Sequence, residues 1–162
     1  MQIAGANGTA IAKRLWELDN QGCYVDIVAD EIRNQGTRDG EKKALEYLLR
    51  RPEALPPNRV NYHGPEVQEF SGGQCGVHQK NLLIDGYYDG KKNQKVVFTG
   101  SHNMNNKSPR YNDEVILQIN DSEVHDGFKR YFFDLRAGAA ITWQTSKFDV
   151  EPKRDPEFNC RR

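Results

Sequence analysis

Residues 77–115 read VHQKNLLIDGYYDGKKNQKVVFTGSHNMNNKSPRYNDEV, and this stretch decides the fold of the chain around it. Its apolar runs over residues 77–85 and 95–101 flank a segment rich in Gly, Asp and Lys, which predicts an antiparallel pair of strands. Successive side chains on a strand point to opposite faces of the sheet. His78 and Lys80 are therefore predicted to share a face and to direct an imidazole and an ammonium into the same space.

A second polar block closes the later strand of this pair. It reads Gly-Ser-His-Asn at residues 100–103, and Glu114 follows it along the chain. Ser101 and Asn103 occupy alternate positions of the extended run, so their side chains are predicted to point the same way. Imidazole, ammonium, hydroxyl and amide groups that converge on one spot form a binding site for an oxyanion, and a phosphate fits this set best.

The two blocks together resemble the half-site signature of the phospholipase D superfamily. That signature is H-x-K-x4-D, met here by His78, Lys80 and Asp85, followed by G-S-x-N at residues 100–103 and a later Glu. The resemblance extends in layout over residues 1–136. It implies a phosphodiesterase of the phospholipase D type, which hydrolyses or transfers a phosphodiester without a metal or another cofactor.

The resemblance also implies a role for each polar group. His78 is the expected nucleophile, which forms a covalent phosphohistidine, and Glu114 is expected to hold its imidazole in the reactive tautomer. Lys80 and Asn103 are expected to bind the non-bridging oxygens of the phosphoryl group, with Ser101 assisting. Together with Asp85, the last residue of the H-x-K-x4-D motif, these residues make up the predicted active site.

Asp85 and the other histidines are expected to play no direct part in the chemistry. Asp85 lies at the far end of the strand from His78 and at odd spacing, so we expect it to fix neighbouring structure within the motif. Cys75 and His78 have the spacing of half a zinc site, but no second Cys/His pair completes it, so no metal is expected. A single histidine is more often an ordinary polar residue than a ligand, and this interpretation applies to His63, His102 and His125.

Around the central stretch, apolar periodicity and turn residues predict alternating strands and helices. A strand–helix–strand sequence of this length is typical of a right-handed parallel crossover. We therefore expect an α/β domain over residues 1–136, with a mixed, largely parallel β-sheet flanked by helices, and a C-terminal extension over residues 137–162. The predicted segments are a truncated first strand 1–4, turn 5–8, helix 9–20, strand 23–29, helix 40–51, strand 60–63, loop 64–76, strand 114–119 and helix 122–136, whose apolar face is Val124, Phe128, Tyr131, Phe132 and Leu135.

The chain carries one copy of the motif, because no other histidine is followed by a lysine two positions later. The superfamily uses two copies around a pseudo-twofold axis. The resemblance therefore implies that the second copy comes from a homodimer partner or from the missing half of a longer chain, and in the latter case this half alone would be non-catalytic. The short first strand favours the longer chain.

The composition limits the class of substrate. The 162 residues are 36% apolar, with mean hydropathy -0.85, formal net charge +0 and pI about 6.9. No apolar run approaches the roughly 18 residues that a transmembrane helix needs. A neutral chain lacks the basic footprint of a nucleic-acid-binding protein. This charge agrees with the layout of residues 8–30 and 77–119, which looks more like that of secreted bacterial phospholipase D-type enzymes than that of small dimeric nucleases. The resemblance therefore favours a phospholipid as the substrate. A metal-independent endonuclease that acts as a homodimer is the alternative, and a phosphate-binding module without turnover is the third interpretation.

Three cysteines are too few for a disulfide framework. Cys23 opens an apolar strand and is expected to be a small buried residue. Cys75 and Cys160 could pair in an oxidising compartment. The resemblance favours a secreted bacterial protein over a cytoplasmic one.

Overall fold

The structure is a computed structural model that describes residues 5–29, 39–50, 65–69, 78–103, 113–139 and 141–143. Within these ranges the chain alternates between helices and short strands. In chain order they are α1 (Gly5–Asn20), β1 (Asp26–Ala29), α2 (Asp39–Leu48), β2 (Glu66–Glu69), β3 (Asn81–Tyr88), β4 (Lys91–Gly100), β5 (Ile116–Ile119), α3 (Ser122–Ala137) and β6 (Ile141–Trp143).

The strands form two three-stranded sheets, ordered β1-β2-β6 and β3-β4-β5. β1 and β2 are parallel, with Asp26 opposite Glu66, and α2 lies between them in the sequence. The pairs β2–β6, β3–β4 and β4–β5 are antiparallel. The mixed α/β class is confirmed. The expectation of a largely parallel sheet is not confirmed, because a hairpin and its return strand account for the second sheet among the described residues.

The first helix is longer than predicted and ends where the sequence indicates. α1 already includes residues 5–8, which were expected to form a turn, because no proline interrupts them and Ala6 favours a helix. Gly22 ends the helix with a left-handed φ of 103°. Its N–H donates to Asp19 O at 3.0 Å, and Cys23 N–H donates to Leu18 O at 2.9 Å, which is the pattern of a Schellman cap.

β2 lies inside the segment that was expected to be a loop over residues 64–76. Its sequence Glu-Val-Gln-Glu has low strand propensity, so local preference does not reveal it. Pairing with β1 on one side and β6 on the other stabilises the strand instead, and Val67 is only 1% exposed. The strands predicted at residues 1–4 and 60–63 lie outside the described residues.

The main apolar core lies between the two N-terminal helices and the β1-β2-β6 sheet. α1 and α2 pack against each other, and Val67 of β2 joins the same cluster. Burial of such side chains supplies most of the favourable free energy of folding. The fully buried members are Ala12, Ala44, Leu48, Leu49 and Val67, and the partly buried ones are Leu15, Ile27, Leu45 and Tyr47.

α3 is fixed to the β3-β4-β5 sheet by ion pairs in its first half. Lys95 Nζ of β4 lies 2.7 Å from Asp126 Oδ1, and Lys129 Nζ lies 3.1 Å from Asp85 Oδ2 of β3. The side-chain hydrogen bond between Lys95 and Asp126 raises the pKa of the lysine and lowers that of the carboxyl group. Asp121 caps the helix by accepting a hydrogen bond from the Val124 N–H at 2.9 Å.

The other end of α3 is fixed to the β1-β2-β6 sheet by a buried cluster. Arg136 Nη1 lies 2.8 Å from Asp26 Oδ2, and Arg136 Nη2 lies 2.8 Å from Glu66 Oε2. The Tyr24 hydroxyl is within hydrogen-bond distance of both carboxylates, at 3.2 Å and 3.0 Å. One guanidinium therefore joins the last turn of the helix to the paired first residues of two parallel strands.

The predicted apolar face of α3 is only partly correct. Val124 and Tyr131 are 37% and 44% exposed, whereas His125 is 1% exposed. The ion pairs explain why the buried face of the helix differs from the predicted one. They turn Asp126 and Lys129 toward the hairpin, and His125, which is next to Asp126, is buried. Phe128, Phe132 and Leu135 are half-buried, in agreement with the prediction.

Cys23 is disulfide-bonded, which corrects the expectation of a simple buried cysteine. The other cysteine expectation concerned a pair between Cys75 and Cys160. Both of these residues lie outside the described ranges. The disulfide was not predicted because cysteine spacing alone does not give connectivity.

The Asp26 cluster predicts a pH-dependent stability. Burial raises the pKa of Asp26 from 3.8 to about 7, although Arg136 opposes the shift. Ionisation is thus harder in the folded chain than in the unfolded chain. The free energy of unfolding should fall as pH rises from about 4 to about 7, by a few kcal/mol. Asp26→Asn should remove this part of the slope in urea unfolding measured at several pH values.

The matched control is Asp121→Asn, which changes an exposed carboxylate for an amide that also caps helices well. This variant should keep the slope of the wild-type protein. An Asp26→Asn protein whose stability follows pH like that of the wild type would contradict the assignment.

Candidate active site

His78 and Lys80 lie just before the hairpin rather than inside its first strand. The strand expected over residues 77–85 begins at Asn81 and runs to Tyr88. The turn is also tighter than predicted, because Asp89 and Gly90 both adopt positive φ, 48° and 76°. An Asp-Gly pair in this conformation is the preferred two-residue turn of a hairpin.

The Lys80 side chain folds back along the chain toward His78. Its Nζ donates a hydrogen bond to the His78 carbonyl oxygen at 2.6 Å, and the residue is only 5% exposed. The His78 residue itself is exposed. The structure therefore holds a buried lysine amine against the backbone of a residue whose imidazole is accessible.

The hairpin brings the two polar blocks to the same end of one sheet. Asn81 at the start of β3 pairs with Thr99 near the end of β4, and Thr99 Oγ1 donates to Asn81 Oδ1 at 2.7 Å. Because the strands are antiparallel, the residues that precede β3 and those that follow β4 emerge side by side. His78 and Ser101 thus leave the sheet at the same edge.

Gly100 is the point where the backbone leading into β5 comes closest to β4. A Cβ atom on this residue would lie 1.9 Å from the carbonyl oxygen of Val115. The next residue uses the same carbonyl, because Ser101 N–H donates to Val115 O at 3.1 Å. The glycine of the G-S-x-N block therefore has a steric reason: no side chain fits under the backbone that carries Glu114.

Ser101 and Glu114 form a direct pair in this corner. Ser101 Oγ donates a short hydrogen bond to Glu114 Oε2, and Val115 N–H donates to Ser101 Oγ at 3.1 Å. The hydroxyl, which was expected to assist phosphate binding, thus orients the carboxylate that was expected to hold His78. Asn103 is half-buried two residues further on.

Asp85 stands apart from this cluster. Asp85 lies seven positions after His78, and seven residues of extended chain span a distance of about 23 Å. It lies opposite Lys95 in the ladder and forms an ion pair with Lys129. The structure therefore gives the last residue of the motif a contact with α3 and does not bring it to the other site residues.

The described residues contain no group of three or more His, Cys, Asp or Glu that could hold a metal ion. Nor does any helix in the described part of the chain have the length and apolar content to cross a membrane. The arrangement holds an exposed imidazole, a buried lysine, an amide and a hydrogen-bonded carboxylate, a set of groups suited to phosphoryl transfer.

An exposed histidine, a buried lysine and a serine–glutamate pair at one end of a sheet are a set of groups typical of the phosphodiesterase class. Comparison with protein families supports this class directly: residues 1–136 match the family described as "Cardiolipin synthase, PLD-like domain". The chain belongs to the phospholipase D superfamily as a member of this family. Neither the curated proteins nor the solved structures gave a match.

The close backbone contact at Gly100 leads to a testable prediction. Gly100→Ala should lower the free energy of unfolding by about 2–3 kcal/mol, because the new methyl group must displace the Val115 backbone. Gly127→Ala is the matched control, since its nearest neighbour is the flexible end of Arg130 at 3.9 Å. This change inside α3 should be neutral or stabilising by up to about 1 kcal/mol.

Urea unfolding of the two variants makes the comparison, and amide hydrogen exchange at Ser101 locates the effect. Faster exchange at that amide in Gly100→Ala alone is the expected result. If the two alanine variants had the same free energy of unfolding, the close contact between residue 100 and the Val115 backbone would be disproved.

Proposed function

We propose that the protein is a phosphodiesterase of the phospholipase D type that acts through a covalent phosphohistidine at His78. One observation carries the proposal: the hairpin sets the exposed His78 with its buried Lys80 at the same sheet edge as Ser101 and Glu114. Membership of the phospholipase D superfamily supports the same class of reaction.

In the proposed first step, a ring nitrogen of neutral His78 attacks phosphorus and the bond to the leaving oxygen breaks. The leaving oxygen takes a proton from an acid on the opposite side, and water or an alcohol later displaces the imidazole from phosphorus. The negative charge on the non-bridging oxygens grows as the transition state forms. Lys80 and Asn103 are proposed to stabilise it, so that the reaction needs no metal ion.

Glu114 is proposed to act through His78. A neutral imidazole attacks through one nitrogen only when the other nitrogen keeps its proton in a defined direction. The hydrogen bond from Ser101 Oγ fixes the Glu114 carboxylate, which would otherwise rotate freely. Ser101 is then a positioning residue for the carboxylate.

A phospholipid or a related small phosphodiester is the proposed substrate. The net charge is +0, and the exposed Lys91 and Lys92 lie at the hairpin turn, at the opposite end of β4 from the site. These lysines would not neutralise the phosphates of a nucleic acid bound at His78. The disulfide at Cys23 supports the proposal that the protein works in an oxidising compartment, as a secreted bacterial protein does.

The test compares phosphatidylcholine, single-stranded DNA and bis(p-nitrophenyl) phosphate as substrates, with excess EDTA present throughout. We expect turnover of the lipid and of the small diester, and a loss of at least about a thousandfold in His78→Asn. Tyr87→Ser changes an exposed residue at the far end of β3 and should keep full activity.

Two results would overturn the proposal. Appreciable turnover by His78→Asn would exclude the nucleophile, and turnover that requires an added divalent ion would exclude the mechanism. Cleavage of single-stranded DNA alone would establish the alternative, an endonuclease.

We also propose that a second copy of the motif completes the site. In-line displacement places the leaving oxygen opposite the attacking nitrogen, so the His78 that attacks cannot protonate it at the same moment. The acid is proposed to come from a second copy of this chain across a twofold interface, or from the other half of a longer chain.

Subunit mixing tests the homodimer. An equal mixture of wild-type and His78→Asn chains should keep about one quarter of the wild-type activity, because only the dimers with two intact copies are active. Activity of about one half, at concentrations where the protein sediments as a monomer, would show that one copy suffices.

A further inference from the structure

The register of the hairpin, continued three residues beyond its last pair, brings a second histidine to the same end of the sheet as His78. From the pair Asn81–Thr99, each step back along β3 matches one step forward along β4. Three steps lead to His78 on one side and His102 on the other. The Gln79 side chain accepts a hydrogen bond from Asn81 Nδ2 at 2.8 Å. Residues opposite each other in such a ladder have Cα atoms about 5 Å apart.

His102 also has a ring nitrogen without a partner. The residue is half-buried, and its Nδ1 is buried with no hydrogen-bond partner. A buried polar atom in this state is unfavourable and is usually satisfied by a group that comes from outside the chain. An imidazole N–H donates well to a phosphate oxygen, which is the acceptor that the neighbouring residues are suited to bind.

The backbone that carries His102 is held on a rigid base. Ser101 N–H donates to Val115 O, and Val115 N–H donates to Ser101 Oγ, both at 3.1 Å. This clamp ends one residue before His102. The imidazole therefore loses little conformational freedom when it meets a ligand, which favours binding.

We propose that His102 is a phosphate-binding residue of this site, which donates a hydrogen bond to a non-bridging oxygen of the phosphodiester beside His78. The inference rests on the proposed function. Because both imidazoles stand at the same sheet edge, His102 approaches phosphorus from the side of the nucleophile and does not protonate the leaving oxygen. It contributes to the binding of both substrate and transition state, so it affects KM more than kcat.

The kinetic test uses His102→Leu and His102→Gln with bis(p-nitrophenyl) phosphate as substrate. A charged hydrogen bond to phosphate predicts that His102→Leu raises KM about tenfold, while kcat changes less than about threefold. His102→Gln keeps a donor and should recover part of the loss. Lys92→Ala is the control at the far end of the same strand and should leave KM unchanged. A KM within about twofold of wild type in both His102 variants would overturn the inference.

A binding test separates this inference from the proposed function. Inorganic phosphate is titrated into the wild-type protein, and the ring C–H signals of the histidines are followed by NMR. The His102 signal should shift and that of the buried His125 should stay in place, and His102→Leu should weaken phosphate binding about tenfold. These results without turnover of any diester would refute the proposed function and support the inference. An unshifted His102 signal at saturating phosphate would refute the inference.

Discussion

The close approach of the Val115 backbone to Gly100 of β4 is the constraint on which the site depends. Because the Val115 carbonyl lies where a side chain of residue 100 would be, only glycine fits there. The same close contact places the Ser101 hydroxyl against the Glu114 carboxylate and fixes the backbone that leads to His102. A hydrogen-bonded corner of this kind is preorganised, so it does not have to be assembled when the substrate arrives.

α3 connects this corner to the rest of the fold. Its first half is joined to the hairpin through the ion pair between Lys95 and Asp126, and its last turn is joined to the other sheet through Arg136 and Asp26. The two joints differ in cost. The first is partly exposed, whereas the second places a carboxyl group with a pKa of about 7 in a buried cluster, where its ionisation opposes folding. The helix therefore positions the two sheets at some expense of stability near neutral pH.

The sequence predicted those features that are encoded within a few residues. The hairpin and the two polar blocks follow from local patterns. Features that depend on distant partners were missed. β2 is a strand only because two other strands flank it. The position of His102 at the same end of the sheet as His78 follows only from the pairing of the hairpin strands. The raised pKa of Asp26 likewise requires the burial that tertiary structure creates.

The central claim is that His78 forms a covalent bond to phosphorus, and trapping this adduct tests it most directly. The protein is mixed with bis(p-nitrophenyl) phosphate, quenched in alkaline denaturant during turnover, digested and analysed by mass spectrometry. A phosphoryl adduct is expected on the peptide that contains His78. Acid should remove this adduct, because a phosphorus–nitrogen bond is acid-labile. Turnover without any adduct, or an acid-stable adduct on Ser101, would contradict the central claim.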